Sequence, residues 1–225
     1  MRAVRFAHGP CLGTAVSKAG RCRDDSSAPA RRGCCARTLT ALSRPRPQVA
    51  GGVYHVTTRG NRGQLIFANQ LDPSLFVHLV SKNVRRLGWR CHSFCLMPNH
   101  YHLLIETPEP NLSIGMQRLN GIYARWFNHA HGYSGHLFER RFHSVFVERN
   151  AHLLELTRYL ALNPVRAGLC RHPSEWLWSS YRAMTGAVPP PEFLTCDWVL
   201  SLFDADRERA RARFVAFVDG SAMAA

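Results

Sequence analysis

From Gly51 onward the apolar pattern of the chain changes period repeatedly, and this alternation limits the possible folds more than any other feature. A period of two sends successive side chains to opposite faces of a strand, whereas a period near 3.6 lines one side of a helix. Val53 to Thr58 is β-branched and aromatic, and Gly60-Asn61-Arg62-Gly63 stops it. Leu75, Phe76, Leu79, Val80, Val84 and Leu87 follow at helical spacing up to Gly88. Trp89 to Leu96 reads as a strand, Met97-Pro98-Asn99 as a turn, and His100 to Glu106 as a second strand. Asn111 is placed to cap a helix carrying Leu112, Met116, Leu119, Tyr123, Trp126 and Phe127. A strand from Phe142 to Glu148 and an Asn150-capped helix to about Leu162 complete the order β-α-β-β-α-β-α. That order predicts an α+β, ferredoxin-like split βαβ fold, with a four-stranded antiparallel sheet, helices on one face and a C-terminal helical extension.

The charge is uneven along the chain. It is formally +14 over 225 residues, and residues 1–50 hold ten Arg and Lys against only Asp24 and Asp25. A chain this basic attracts polyanions and excludes a cationic partner. Residues 1–43 lack periodicity and read as a basic, disordered tail, residues 44–184 as the main domain, and residues 185–225 as the C-terminal helical extension. The apolar stretches are too short to span a bilayer, and Met1 to Val16 lacks an uninterrupted apolar core for a secretory signal. Eight cysteines without a CxxC pair predict reduced thiols in a cytoplasmic protein rather than a zinc ribbon.

The chemistry concentrates in Met97-Pro98-Asn99-His100-Tyr101-His102-Leu103-Leu104-Ile105. On a strand His100 and His102 project from one face, about 7 Å apart, so the two imidazoles can converge on one divalent ion. Tyr101, Leu103 and Ile105 point the other way, into an apolar layer. The alternative is two histidines on a merely polar sheet face. Four residues separate Tyr159 from Asn163 in the last helix of the domain, which puts them on one stripe, while Leu153, Leu156 and Leu160 bury another. Pro164 disfavours helical geometry at Asn163 and predicts that the helix ends there. Two imidazoles and an amide oxygen with open positions suit Mg²⁺ or Mn²⁺ and could polarise a phosphate.

These motifs resemble the HUH-type single-tyrosine transposases, and most closely their REP-associated branch. The likeness rests on His100-Tyr101-His102, on the helix from Tyr159 to Asn163, and on Asn163-Pro164-Val165-Arg166-Ala167-Gly168-Leu169. It extends through Tyr54 to Arg62, Gly135 to Phe142 and Trp176 to Tyr181. The resemblance implies a DNA transposase that nicks and transfers single-stranded or hairpin DNA. Tyr159 would form a 5′-phosphotyrosine, and His100, His102 and Asn163 would hold Mg²⁺ or Mn²⁺. Neither ATP nor a membrane is needed, and the protein would act as a monomer or homodimer in the bacterial cytoplasm, on the nucleoid when bound to DNA. Asn163 is shorter than the Gln usual in simpler members of the class, which fits the REP-associated branch.

Two other readings stay open: a catalytically inactive or domesticated DNA-hairpin-binding protein, and a zinc-stabilised structural domain that lacks a fourth ligand at the usual spacing. Arg59, Arg62, Arg140 and Arg141 lie at strand ends or turns suited to phosphate contacts. Trp178 and Tyr181 offer rings that could stack a base, with core packing as the alternative for Tyr181. Glu106 shares a strand face with the histidine pair, as a supporting partner or as a solvent-facing residue.

Overall fold

The computed structural model describes residues 48–147 and 151–220; the predicted tail, Glu148 and the Asn150 cap lie outside these residues. Four strands, β1 (Gly52–Arg59), β2 (Arg90–Met97), β3 (His100–Thr107) and β4 (His143–Phe146), form one antiparallel sheet in the order β2-β3-β1-β4. The helices are α1 (Leu71–Leu87), α2 (Leu112–His131), α3 (Ala151–Arg166), α4 (Tyr181–Met184), α5 (Asp197–Ser201) and α6 (Arg207–Asp219). The split βαβ arrangement therefore holds. Among the described residues no helix is long and apolar enough to cross a membrane.

Strand alternation divides the core in two. Tyr54 and Val56 of β1 and Tyr101, Leu103 and Ile105 of β3 face α1 and α2, where Phe76, Val80, Met116, Leu119 and Tyr123 close the first core. Val53, Cys95, Met97 and Leu104 face the other way, and Leu153, Leu156 and Leu160 of α3 cover them. α3 thus lies on the face opposite to α1 and α2, where the sequence pattern suggests a single helical layer. The physical reason is that β1, β2 and β3 carry apolar residues at both parities, so both faces of the sheet need cover.

Local chemistry sets the ends of the elements. Gly88, left-handed at φ 66°, terminates α1. Asn111 occupies the position before α2, but its side chain accepts from the Trp89 indole and donates to the Leu87 carbonyl instead of capping. Gln48 Oε1 accepts from the Ser113 amide at 2.8 Å in its place. α3 continues through Pro164 to Arg166, because a proline in the last turn removes only one bond of the ladder. The Ala167 amide still reaches the Asn163 carbonyl at 3.0 Å.

The segment after α3 closes one sheet edge. Leu96 donates its amide to the Trp178 carbonyl, Ser180 donates to that of Phe94 and Thr195 to that of Cys91. Pairing of this kind hides backbone groups that an open edge would expose. Phe203 and Phe214 of the C-terminal segment join the first core.

Two glycines of α2 should respond oppositely to alanine. A methyl group on Gly115 would collide with the Trp89 ring and Leu87, so Gly115→Ala is expected to cost about 1–3 kcal/mol. At Gly121 only the Arg125 guanidinium comes near, at 3.7 Å, so Gly121→Ala should stabilise by about 0.5–1 kcal/mol. Denaturant unfolding of the two variants checks both signs.

Candidate active site

The pairing of β1 with β3 lays out the site. Thr57 lies opposite His102 and Arg59 opposite His100, while Thr57 also faces His143 of β4. Residues directly opposite share a face. His55, Thr57, Arg59, His100, His102 and His143 therefore project on the α3 side, away from the first core. α3 crosses this face with Leu153, Leu156 and Leu160 buried, which turns Tyr159 and Asn163 towards the histidines.

The geometry is close. The His102 Nε2 and Asn163 Nδ2 atoms are 3.2 Å apart, and Asn163 also hydrogen-bonds His100. The His100 and His102 rings meet edge to face with centroids 5.0 Å apart. The Tyr159 ring stands edge-on to His102 at 5.5 Å, and the Arg166 guanidinium lies 5.5 Å from the Tyr159 ring centre. Tyr159 is 38% exposed, so a ligand in the cleft can reach its phenol.

Hydrogen bonding fixes which imidazole nitrogen carries the proton. Asn163 donates to His102 Nε2, so the proton sits on Nδ1 and is donated to His55 Nε2 at 2.9 Å. The His55 and His102 rings lie side by side, 16° from parallel, with centroids 5.2 Å apart. Asn99 Oδ1 accepts from His100 Nδ1 at 2.7 Å, which likewise leaves Nε2 of His100 with its lone pair. The His102 Nε2 lone pair turns towards the Asn163 amide, and rotation of that amide would offer its oxygen at the same place. Burial, with His55 and His100 nearby, pushes His102 down to about 3. Burial, with His143 and His152, pushes His55 down to about 4. His100 is lowered by burial and by Arg59. All three imidazoles are neutral at neutral pH, the state a metal ion requires.

A divalent cation fits this donor set: two neutral nitrogens and one amide oxygen, with outer hydrogen bonds that orient the rings. Among the described residues no group of three or more His, Cys, Asp or Glu side chains is arranged to hold a metal ion by itself. About half of an octahedral cation's coordination would then be left to water and substrate. Cys95 lies beside His102 on β2, but its thiol is buried, turned to Met97 Sδ, and pushed up to about 12.

A cleft of about 690 Å³ brings together His55, His100, His102, Tyr159, Arg59, Arg140 and Arg141. Arg140 pairs with Glu139 at 2.9 Å. Arg62 stands on an exposed turn outside this lining, in left-handed geometry at φ 54°. Trp178 is half-buried along the outer edge of β2, the sheet margin farthest from β4. Tyr181 is buried, with its ring 5.8 Å from that of Phe214, so its stacking face is spent on the core. Glu106 sits at the far end of β3, pairing with Arg90 at 2.8 Å and His92 at 2.9 Å, and does not support the histidine pair. His55 went unread in the sequence, although the period of β1 places it on the face of Thr57 and Arg59.

A family model described as "Transposase IS200 like" matches residues 48–163, just over half of the chain, and ends on Asn163. No curated protein matches the chain significantly. The fold is similar to a REP-associated tyrosine transposase solved bound to a REP hairpin. The TM-score is 0.55 at 19% identity, covering 67% of this chain and 89% of that one. A Deinococcus radiodurans R1 protein assigned as a transposase aligns at TM-score 0.38 and 15% identity, over 57% of this chain and 98% of its own, too distant to bear on the fold.

The hydrogen-bond chain predicts the Nδ1–H tautomer for His102, visible by ring-nitrogen NMR; a mixed population in His55→Ala, with an unchanged fold, marks His55 as the acceptor that sets it. Histidines held low in the fold bind protons only when the chain unfolds, so stability should fall as pH drops from about 6.5 towards 4. Denaturation at several pH values measures this slope.

Proposed function

The chain belongs to the family of IS200-like transposases of the HUH single-tyrosine type, and from that premise we propose that it nicks and rejoins single-stranded DNA through a 5′-phosphotyrosine. One observation carries this reading: Tyr159 and Asn163 on one stripe of α3 confront the histidines, and Tyr159, His100 and His102 line a cleft edged by arginines.

In the proposed reaction Tyr159 Oη attacks the scissile phosphorus in line with the bond to the 3′ oxygen. The O–P bond to tyrosine forms, the bond to the 3′ oxygen breaks, and that oxygen leaves as a 3′-hydroxyl once protonated. His100 Nε2, His102 Nε2 and the Asn163 amide oxygen would hold Mg²⁺ or Mn²⁺, which when bound supplies charge neutralisation at the phosphate. Arg59, Arg140 and Arg141 would fix the flanking phosphates and so bring the phenol into line. The phosphotyrosine bond conserves the energy of the diester. A 3′-hydroxyl arriving later can therefore reverse the step, and strand transfer requires no ATP. DNA hairpins formed by short inverted repeats are the proposed substrates, met on the nucleoid in the bacterial cytoplasm.

Tyr159→Phe should abolish the covalent protein–DNA adduct in Mg²⁺ or Mn²⁺ while hairpin binding survives. His100→Ala should also stop cleavage. Both are read on denaturing gels with hairpins taken from inverted repeats beside the gene. An adduct formed by Tyr159→Phe at the parental rate would sink the assignment; wild-type protein that binds such hairpins without forming an adduct would be a hairpin-binding protein instead. The recognised domain is proposed to begin near residue 44. Removal of residues 1–43 should accordingly leave cleavage intact and reduce mainly the salt-sensitive, non-specific part of binding.

A further inference from the structure

A second cleft, of about 670 Å³, lies between α2 and the segment from Gly135 to Phe142. It opens on the α2 side of the sheet, whereas the histidine cleft opens on the α3 side. The segment between them is pinned to the end of β1: Asn61 donates its amide to the Leu137 carbonyl at 2.8 Å, and Glu139 donates to that of Arg59 at 3.0 Å. Glu139, Arg140 and Arg141 line both clefts, so they form the rim by which one leads into the other.

The lining of the second cleft differs from that of the first. Ala124 and Phe138, both half-buried, give it an apolar floor, whereas Met116, Leu137 and Phe142 are buried in the core. Gln117 and Asn120 add amides along one wall. Asn120 is anchored, accepting from the Tyr101 hydroxyl and lying near Thr58, which leaves Gln117 as the amide placed to meet a ligand. An apolar floor with an amide beside it suits a flat heteroaromatic ring with a hydrogen-bonding edge. Arginines at the rim suit a phosphate. A nucleotide carries both.

We propose that the α2 cleft receives an unpaired base from the same DNA strand whose phosphate lies in the histidine cleft. This inference rests on the nucleic-acid reading above and adds a place for the bases. A strand linking the clefts must turn round the sheet margin across a three-residue rim, about 10 Å of chain at most. A duplex, stiff over about 50 nm, does not make that turn, and a single strand does. The base would lie on the half-buried Phe138 with its edge towards Gln117, and the arginines would hold the backbone where it crosses.

Gly121 provides the test. It lines the cleft, and a Cβ there meets only the mobile end of Arg125, so Gly121→Leu should fold and fill the space a base would take. Binding is read by fluorescence anisotropy on full-length protein carrying Tyr159→Phe, which keeps the result independent of cleavage. The probes are a labelled oligothymidylate dodecamer and a dodecamer with the same phosphates and abasic sites throughout. The oligothymidylate should bind about tenfold or more tightly than the abasic strand. Adding Gly121→Leu should lower its affinity to the abasic level and leave the abasic strand unaffected. Retained affinity for oligothymidylate in Gly121→Leu, or equal binding of both probes without it, would overturn the proposal. So would tighter oligothymidylate binding after removal of residues 1–43, which would assign the cleft to the chain's own N-terminal segment. The adduct assay reports separately on Tyr159: base-dependent binding without an adduct leaves this site standing and removes the enzymatic reading.

Discussion

The register between β1 and β3 is the constraint on which the rest of the molecule depends. β3 serves two purposes with one alternating sequence: Tyr101, Leu103 and Ile105 fill the first core, and His100 and His102 build the site on the other face. A slip of one residue would drive imidazoles into the apolar layer and expose the tyrosine and aliphatic rows, so a large hydrophobic penalty guards the geometry of the site. The same register sets His55 diagonally beside His102, within hydrogen-bond reach. Core packing and ring orientation are thus one decision made by the backbone.

Burial divides the electrostatic labour. The histidines are kept neutral, because water is excluded and each sits near others of its kind. Positive charge comes instead from Arg59, Arg140 and Arg141, which stay exposed around the cleft. Arginine cannot lose its proton at any physiological pH, so the attraction for phosphate persists where the ligand set has none to give. Net charge alone would have hidden this, since over half of the formal excess lies in residues 1–50.

The strand order and the converging pair were legible because both rest on short-range periodicity. Tyr159 and Asn163 were legible for the same reason, as helix neighbours four apart. What the sequence concealed depends on the third dimension. The side on which α3 lies is decided by which sheet face still needs cover. Asn111 is diverted from capping by an indole twenty-two positions away in sequence. Whether Tyr181 stacks a base or packs in the core is decided by Phe214, far along the chain, whose ring lies 5.8 Å from it. Pro164 was misjudged for a different reason, since its cost depends on how many ladder bonds remain beyond it.

One consequence follows from α3 carrying both Tyr159 and Asn163. Each residue step turns a helix by about 100°, so any rotation of α3 about its axis removes the proposed nucleophile and the proposed amide ligand together. A loosened or misdocked α3 therefore gives a silent protein rather than one that cuts without control. For a molecule whose proposed work is breaking its host's genome, that failure mode is the safe one.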